Sequence, residues 1–261
     1  MKNNKKLCGV IGNPIAHSQS PEIHQRFASS CKIELQYEKF LVTHETLSSF
    51  VDTFFRQNGT GLNVTLPFKQ SVIRLVDKLS DNAELCQSVN TIFIDNSGKL
   101  CGDTTDGDGL LMDLDKKEYV FENKNILLIG AGGAAVSAIC ALLKRSAKVR
   151  IVNRSQQKIT ELINRFSIIG DIDFFETKQT NKFDGVICAI SQSNKKIYQS
   201  ILPTLKSDAY IYDLNYGERA EETLDYFRDK GFTSVSDGYG MLVGQAARSF
   251  EIWHGVLPKL D

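Results

Sequence analysis

The chain is 261 residues long with 42% hydrophobic residues, which suits a folded globular protein and favours two domains over one. Its 31 Lys and Arg balance its 31 Asp and Glu, so no long-range field draws it to nucleic acid or to an anionic membrane, and a small molecule is the expected partner. Six cysteines without a C-x-x-C pair read as reduced core residues of a cytoplasmic protein, with no metal-binding spacing among them.

The basic start MKNNKK is followed by LCGVIG, too short and too glycine-broken for a signal peptide. Residues 7–12 predict a compact apolar strand that ends in the Asn13-Pro14 turn. Ser20 before Pro21 predicts a helix start with Ser20 as N-cap. With Ser18 it also places two hydroxyls and a helix N-terminus at a strand end, so the pair reads either as a cap or as a carboxylate-binding corner. His17 reads as a loop residue. Residues 35–42 predict a second strand, and Thr43 caps a helix that runs to Asn58-Gly59.

In GLNVTLPFK, residues 62–66 predict a strand and Pro67 ends it. Phe68, Val72, Ile73, Val76 and Leu79 then recur at helical spacing, which puts Lys69 in the first turn of a helix. A cation there opposes the helix dipole, so Lys69 is either a solvated surface lysine or a working residue kept against local preference. Residues 89–94 and 99–102 flank DNSG as a hairpin, with Asn90 and Thr91 as polar strand residues that the ladder can satisfy. Asp106 ends a polar cluster ahead of an apolar helix, where a carboxylate suits the helix start.

Residues 125–129 form a charge-free strand, followed by Gly130 and a helix over 134–143. Residues 126–143 contain 18 positions without a charge, the length of a membrane span, but their three glycines and run of alanines fit a strand, turn and helix better. Gly130, Gly132 and Ala135 match the G-x-G-x-x-A dinucleotide turn: one glycine for the turn, one for close approach of a diphosphate, one small residue for helix packing. The next strand, 149–152, ends at Asn153, where an NAD site usually has Asp or Glu. Arg154, Ser155 and Lys158 follow and suit the 2′-phosphate of NADP; the other reading is an ordinary cap at Ser155 beside solvated charges. Strands at 172–175, 185–189 and 210–214 continue the alternation. GMLVGQAARSFEIWHG is an amphipathic helix with Gln245 beside the stripe Leu242, Ala246, Ser249 and Trp253.

These motifs resemble the shikimate dehydrogenase family from Gly12 to Gly255. The residues that carry the resemblance are GNPIAHSQSP at 12–21, NVTLPFK at 63–69, VNT at 89–91, TDG at 105–107, GAGGAA at 130–135, NRS at 153–155, YDL at 212–214 and DGYGMLVGQAA at 237–247. The resemblance implies an α/β protein of two domains. An open α/β substrate domain would take residues 1–105 plus 241–261, and a Rossmann-like NADP-binding domain 106–240, with the C-terminal helix returning to the first and the active site in the cleft between them. It implies NADPH-dependent reduction of 3-dehydroshikimate to shikimate, a step toward aromatic amino acids.

By similarity, Lys69 and Asp106 would be the catalytic pair. Ser18, Ser20, Thr65, Asn90, Asp106, Tyr216 and Gln245 would bind the substrate. Gly130, Ala131, Gly132, Gly133 and Ala134 would take the cofactor diphosphate; Asn153, Arg154, Ser155 and Lys158 its 2′-phosphate; Leu214, Gly238 and Met241 would lie near the nicotinamide, and Asp81 would be a further cofactor contact. A quinate/shikimate dehydrogenase using NAD and a non-catalytic nucleotide-binding module are the competing readings. The sequence leaves monomer and homodimer both open.

Overall fold

The computed structural model describes residues 5–176 and 182–260; the start of the MKNNKK stretch, residues 1–4, lies outside them. The chain divides into two compact units, one running through Thr105 and resuming at Val243, the other spanning Asp106–Leu242.

The first unit contains β1 (Lys6–Gly12), α1 (Ser20–Cys31), β2 (Leu35–Leu41), α2 (Leu47–Arg56), β3 (Gly59–Val64), β4 (Lys78–Leu79), α3 (Asp81–Cys86), β5 (Thr91–Ile94) and β6 (Leu100–Asp103). Its sheet runs β2-β1-β3-β5-β6-β4, with β1 parallel to both neighbours and β5 antiparallel to β3 and β6. Helix α2 buries Leu47, Val51, Phe54 and Phe55, the spacing of one helical face, against Leu62, Val64, Phe68 and Ile92.

The second unit contains α4 (Asp106–Lys116), β7 (Asn125–Ile129), α5 (Gly133–Lys144), β8 (Lys148–Val152), α6 (Gln156–Phe166), β9 (Ile172–Phe174), β10 (Phe183–Cys188), α7 (Lys195–Ile201), β11 (Leu205–Asp213), α8 (Glu218–Arg228) and β12 (Val235–Ser236). All its ladders are parallel, in the order β12-β11-β10-β7-β8-β9. Taken from β9 this is the doubly wound 3-2-1-4-5-6 order, whose strand order reverses between β7 and β10. Ile126 to Ile129 are fully buried, as a central parallel strand covered on both faces requires. Helix α9 (Tyr239–His254) starts in the second unit and ends in the first. Among the described residues, no helix is long and apolar enough to cross a membrane.

Three local expectations differ from the structure. Ser20 is the first residue of α1 rather than its cap; Gln19 is the cap, and Ser18 Oγ accepts the Ser20 N–H at 3.3 Å, meeting one of the orphan donors of the helix start. Helix α2 begins at Leu47, not after Thr43, because the Thr43 N–H donates to Thr46 Oγ1 at 3.0 Å in a turn that precedes the helix. No helix follows Pro67. The segment makes a 3₁₀ turn at Ser71–Leu75 and then β4, so Phe68 and Val72 enter the core from turns while Val76 and Leu79 reach it from extended chain. Lys69 therefore sits in a turn, and the conflict with a helix dipole expected there does not arise.

Candidate functional site

In the first unit, backbone hydrogen bonds gather the sequence motifs at the carboxyl ends of β1 and β3. The Thr65 N–H donates to Ile11 O at 3.0 Å and the Asn13 N–H to Leu66 O at 3.0 Å, which stitches the NVTLPFK segment to the GNP turn. A Cβ on Gly12 would come within 2.6 Å of Thr65 Cγ2, so this close approach needs glycine. The Val64 N–H donates to Asn90 O at 2.8 Å and the Val89 N–H to Lys69 O at 2.9 Å, so the segments that carry Lys69 and Asn90 are tied together. Ser18 Oγ donates to Ser20 Oγ at 3.2 Å.

Asn90 is buried; its backbone bonds Val64 of β3 and Asp103 of β6, while its side chain is satisfied by other side chains and a loop amide. Its Nδ2 donates to Thr105 Oγ1 at 3.0 Å and to Gln245 Oε1 at 3.3 Å, and its Oδ1 accepts from the Thr105 N–H at 2.9 Å and from Thr91 Oγ1 at 2.8 Å. Asn90 and Gln245 thus meet across 155 positions of sequence. The expectation that the ladder would satisfy Asn90 and Thr91 is corrected by this network: Thr91 bonds Asn90 and Ser249 through its side chain. Thr105 and Ser249, absent from the sequence-derived site, both belong to it. Ser249 had a signal, a polar residue one helical turn beyond Gln245 on an apolar stripe.

In the second unit, Gly130 follows β7 with φ of +119°, and a Cβ there would lie 2.6 Å from Ala189 O, so both conformation and space exclude a side chain. At Gly132 and Gly133 an added Cβ would meet nothing within 4 Å. Gly132 is the N-cap of α5 and brings no side chain to cap it, so the first N–H groups of α5 open onto that space. This open cradle, at the point where strand order reverses, fits a diphosphate.

At the end of β8, Asn153 Nδ2 donates to Ser155 O at 3.2 Å. Ser155 is the N-cap of α6 and accepts the Lys158 N–H at 3.4 Å, while the side chains of Arg154 and Lys158 are exposed. The cap reading and the phosphate reading of Ser155 are compatible, since its hydroxyl proton is not used by the cap. Leu214, Gly238 and Met241 also converge: a Cβ on Gly238 would be 2.4 Å from Leu214 O, the Gly238 N–H donates to Asn215 O at 2.8 Å, and Met241 follows in the first turn of α9. Asp237 joins the two flanking segments, accepting the Gly217 N–H at 3.1 Å and the Tyr239 N–H at 3.2 Å, which fixes the loop that carries Tyr216. Sequence reading missed Asp237, a short-range acid with no local motif of its own.

Asp106 is the buried first residue of α4 in the second unit, whereas Lys69 belongs to the first. Asp81 is exposed at the first position of α3, also in the first unit, where its carboxylate complements the helix dipole. Among the described residues, no group of three or more His, Cys, Asp and Glu is arranged to hold a metal ion.

The family model for the shikimate dehydrogenase substrate binding domain matches residues 10–92, that for shikimate / quinate 5-dehydrogenase matches 113–235, and that for the shikimate 5′-dehydrogenase C-terminal domain matches 238–261. A shikimate dehydrogenase (NADP(+)) from Shewanella woodyi is 40% identical over 97% of this chain and 93% of its own length. Among solved structures, shikimate dehydrogenase from Aquifex aeolicus has a TM-score of 0.86 at 30% identity, covering 99% of this chain and 96% of that one. Shikimate 5-dehydrogenase from Thermus thermophilus, in complex with NADP(H) and shikimate, has a TM-score of 0.82 at 25% identity, covering 97% and 95%. With both units matched and the similarity running almost end to end, the chain belongs to the shikimate dehydrogenase family.

Proposed function

We propose that the chain is a cytoplasmic, NADP-dependent oxidoreductase that interconverts 3-dehydroshikimate and shikimate on the route to aromatic amino acids, as a monomer or a homodimer. The observation that carries this reading is the amide pair of buried Asn90 and half-buried Gln245, 3.3 Å apart, with Val89 next to Asn90 bonded to the Lys69 carbonyl. Two amides and a set of hydroxyls gathered from a loop, a strand and helix α9 suit a ring that bears several hydroxyls, because each amide can donate and accept. Ser18 and Ser20 take the carboxylate of that ring, and Thr65, Asn90, Asp106, Tyr216 and Gln245 hold its hydroxyls.

The open cradle at Gly130 to Ala134 holds the cofactor diphosphate, and Asn153, Arg154, Ser155 and Lys158 hold the 2′-phosphate. Leu214, Gly238 and Met241 form the wall against the nicotinamide, with Asp81 a further contact. Bound NADPH supplies the hydride. Charge that develops on the keto oxygen is met by a proton from the Lys69 ammonium, and Lys69 takes a proton back from the hydroxyl in the reverse direction. Asp106 orients the reacting hydroxyl.

The test is an absorbance assay at the NADPH band, with shikimate or quinate against NADP⁺ or NAD⁺. Turnover with shikimate and NADP⁺ is the expected result. Preference for quinate and NAD⁺ would move the chain to the quinate-using branch, and no turnover with any pair would leave a nucleotide-binding module.

A further inference from the structure

A file of polar side chains, buried up to Asn90, runs through the first unit from Tyr37 to Gln245. Tyr37 donates to Asn63 Oδ1 at 2.7 Å, Asn63 Nδ2 donates to Ser249 Oγ at 2.9 Å, and Ser249 Oγ lies 2.7 Å from Thr91 Oγ1. Thr91 donates to Asn90 Oδ1 at 2.8 Å, and Asn90 Nδ2 reaches Gln245 Oε1 at 3.3 Å. Tyr37, Asn63, Asn90, Thr91 and Ser249 are all buried, so water cannot replace a missing partner cheaply.

Two backbone groups orient the two asparagine amides of the file. The Thr105 N–H can only donate, so the Asn90 atom 2.9 Å from it is the amide oxygen. The Asn90 carbonyl can only accept, so the Asn63 atom 3.2 Å from it is the amide nitrogen. Thr91 spends its single proton on Asn90 Oδ1 at 2.8 Å, and Ser249, which accepts from Asn63, has two acceptors for its own, Thr91 Oγ1 at 2.7 Å and the Gln245 backbone carbonyl at 3.0 Å. Asn90 then turns its nitrogen to Gln245, and the Gln245 atom that meets it is the oxygen.

We propose that Ser249 and Thr91 are positioning residues for the ring substrate: through the Thr91 bond to Asn90 Oδ1 at 2.8 Å and the Ser249 bond to the Gln245 carbonyl at 3.0 Å they hold Asn90 and Gln245 in the one arrangement that matches its hydroxyls. This rests on the reading that Asn90 and Gln245 bind that ring. Neither Ser249 nor Thr91 touches the substrate. They act through the donor and acceptor pattern that the two amides present.

The experiment measures steady-state oxidation of shikimate by Ser249→Ala, Thr91→Val, Thr91→Ser and Asn90→Ala, together with the melting temperature of each. Ser249→Ala and Thr91→Val are expected to raise the shikimate KM about tenfold, the effect of one lost buried hydrogen bond, with the NADP⁺ KM unchanged. Thr91→Ser keeps the hydroxyl and is expected to restore the wild-type KM. A lowered melting temperature with an unchanged shikimate KM in both Ser249→Ala and Thr91→Val would make the file merely structural and overturn the proposal. Should Ser249→Ala fail to fold, the contrast between Thr91→Val and Thr91→Ser decides. Asn90→Ala separates the two levels: if it leaves the shikimate KM unchanged, the reading of the site falls and the proposal with it. If it raises KM while the positioning variants do not, the proposal alone falls.

Discussion

The hydroxyl of Tyr212 donates to Oδ2 of Asp113 at 2.6 Å in the interior of the second unit, and Lys117 Nζ holds the other carboxylate oxygen at 2.7 Å. Burial, reinforced by the neighbouring carboxylate, pushes the Tyr212 phenol far up, so it stays a neutral donor. A carboxylate pinned from two sides cannot swing away from an intruding atom.

Gly240 is where that matters, since a Cβ there would lie 1.9 Å from Asp113 Oδ1. Gly240→Ala is expected to destabilise the protein by about 1–3 kcal/mol, the usual cost of overpacking, read as a lower melting temperature without cofactor. Gly132→Ala provides the contrast. Its Cβ meets open space, so the melting temperature should hold while NADPH binding weakens. Equal melting temperatures for wild type and Gly240→Ala would mean that Asp113 is not fixed as described.

Cofactor choice is expected to follow Arg154. No acid stands at the end of β8, and the exposed Arg154 and Lys158 side chains flank a capped helix start. Loss of one charge-assisted hydrogen bond weakens binding by roughly 10- to 100-fold, so Arg154→Ala should narrow the gap between NADPH and NADH by that order. A ratio of the two KM values identical to wild type would place the 2′-phosphate elsewhere.

Lys69→Ala is expected to lower kcat by roughly 10² to 10⁴, the usual contribution of a general acid or base, while NADPH still binds when followed by its fluorescence. Near-normal turnover in that variant would show that another group supplies the proton.

Acid stability is expected to depend on His24. The ring is fully buried, stacked 4.4 Å from Tyr37 and 5.2 Å from Trp253, and burial, with the nearby His254 adding to it, pushes its pKa down to about 3. His254 is pushed down to about 4 by burial and then by Lys6. Both rings stay neutral in the fold while an unfolded chain protonates them near 6.5, so their stability is intact above that pH and is lost as pH falls toward 4 and then 3. For His24 the loss is about 1.4 kcal/mol per pH unit over that window. His24→Phe keeps an aromatic ring in the stack and removes the proton site. Urea unfolding between pH 6.5 and 4 should therefore show a flatter decline, and parallel curves for wild type and variant would count against this role.

Much of the second unit was legible in the residues themselves. The buried run Ile126 to Ile129, the glycines after it and the alanine-rich helix are consecutive, and a strand, a tight turn and a helix start are each decided by backbone freedom and burial over a few residues. Motif order likewise made Lys69, Asn90 and Gln245 candidates. Local spacing misled at Phe68 to Leu79, where apolar residues at helical intervals reach the core through a 3₁₀ turn and a short strand. Only the tertiary structure decided that Asn90 and Gln245 are partners, that Thr105 and Ser249 hold them, and that Asp113 leaves Gly240 no room. The reason is physical: hydrogen bonds and packing between segments far apart in the chain depend on where the folded backbone brings them, and no periodicity in either segment records its partner.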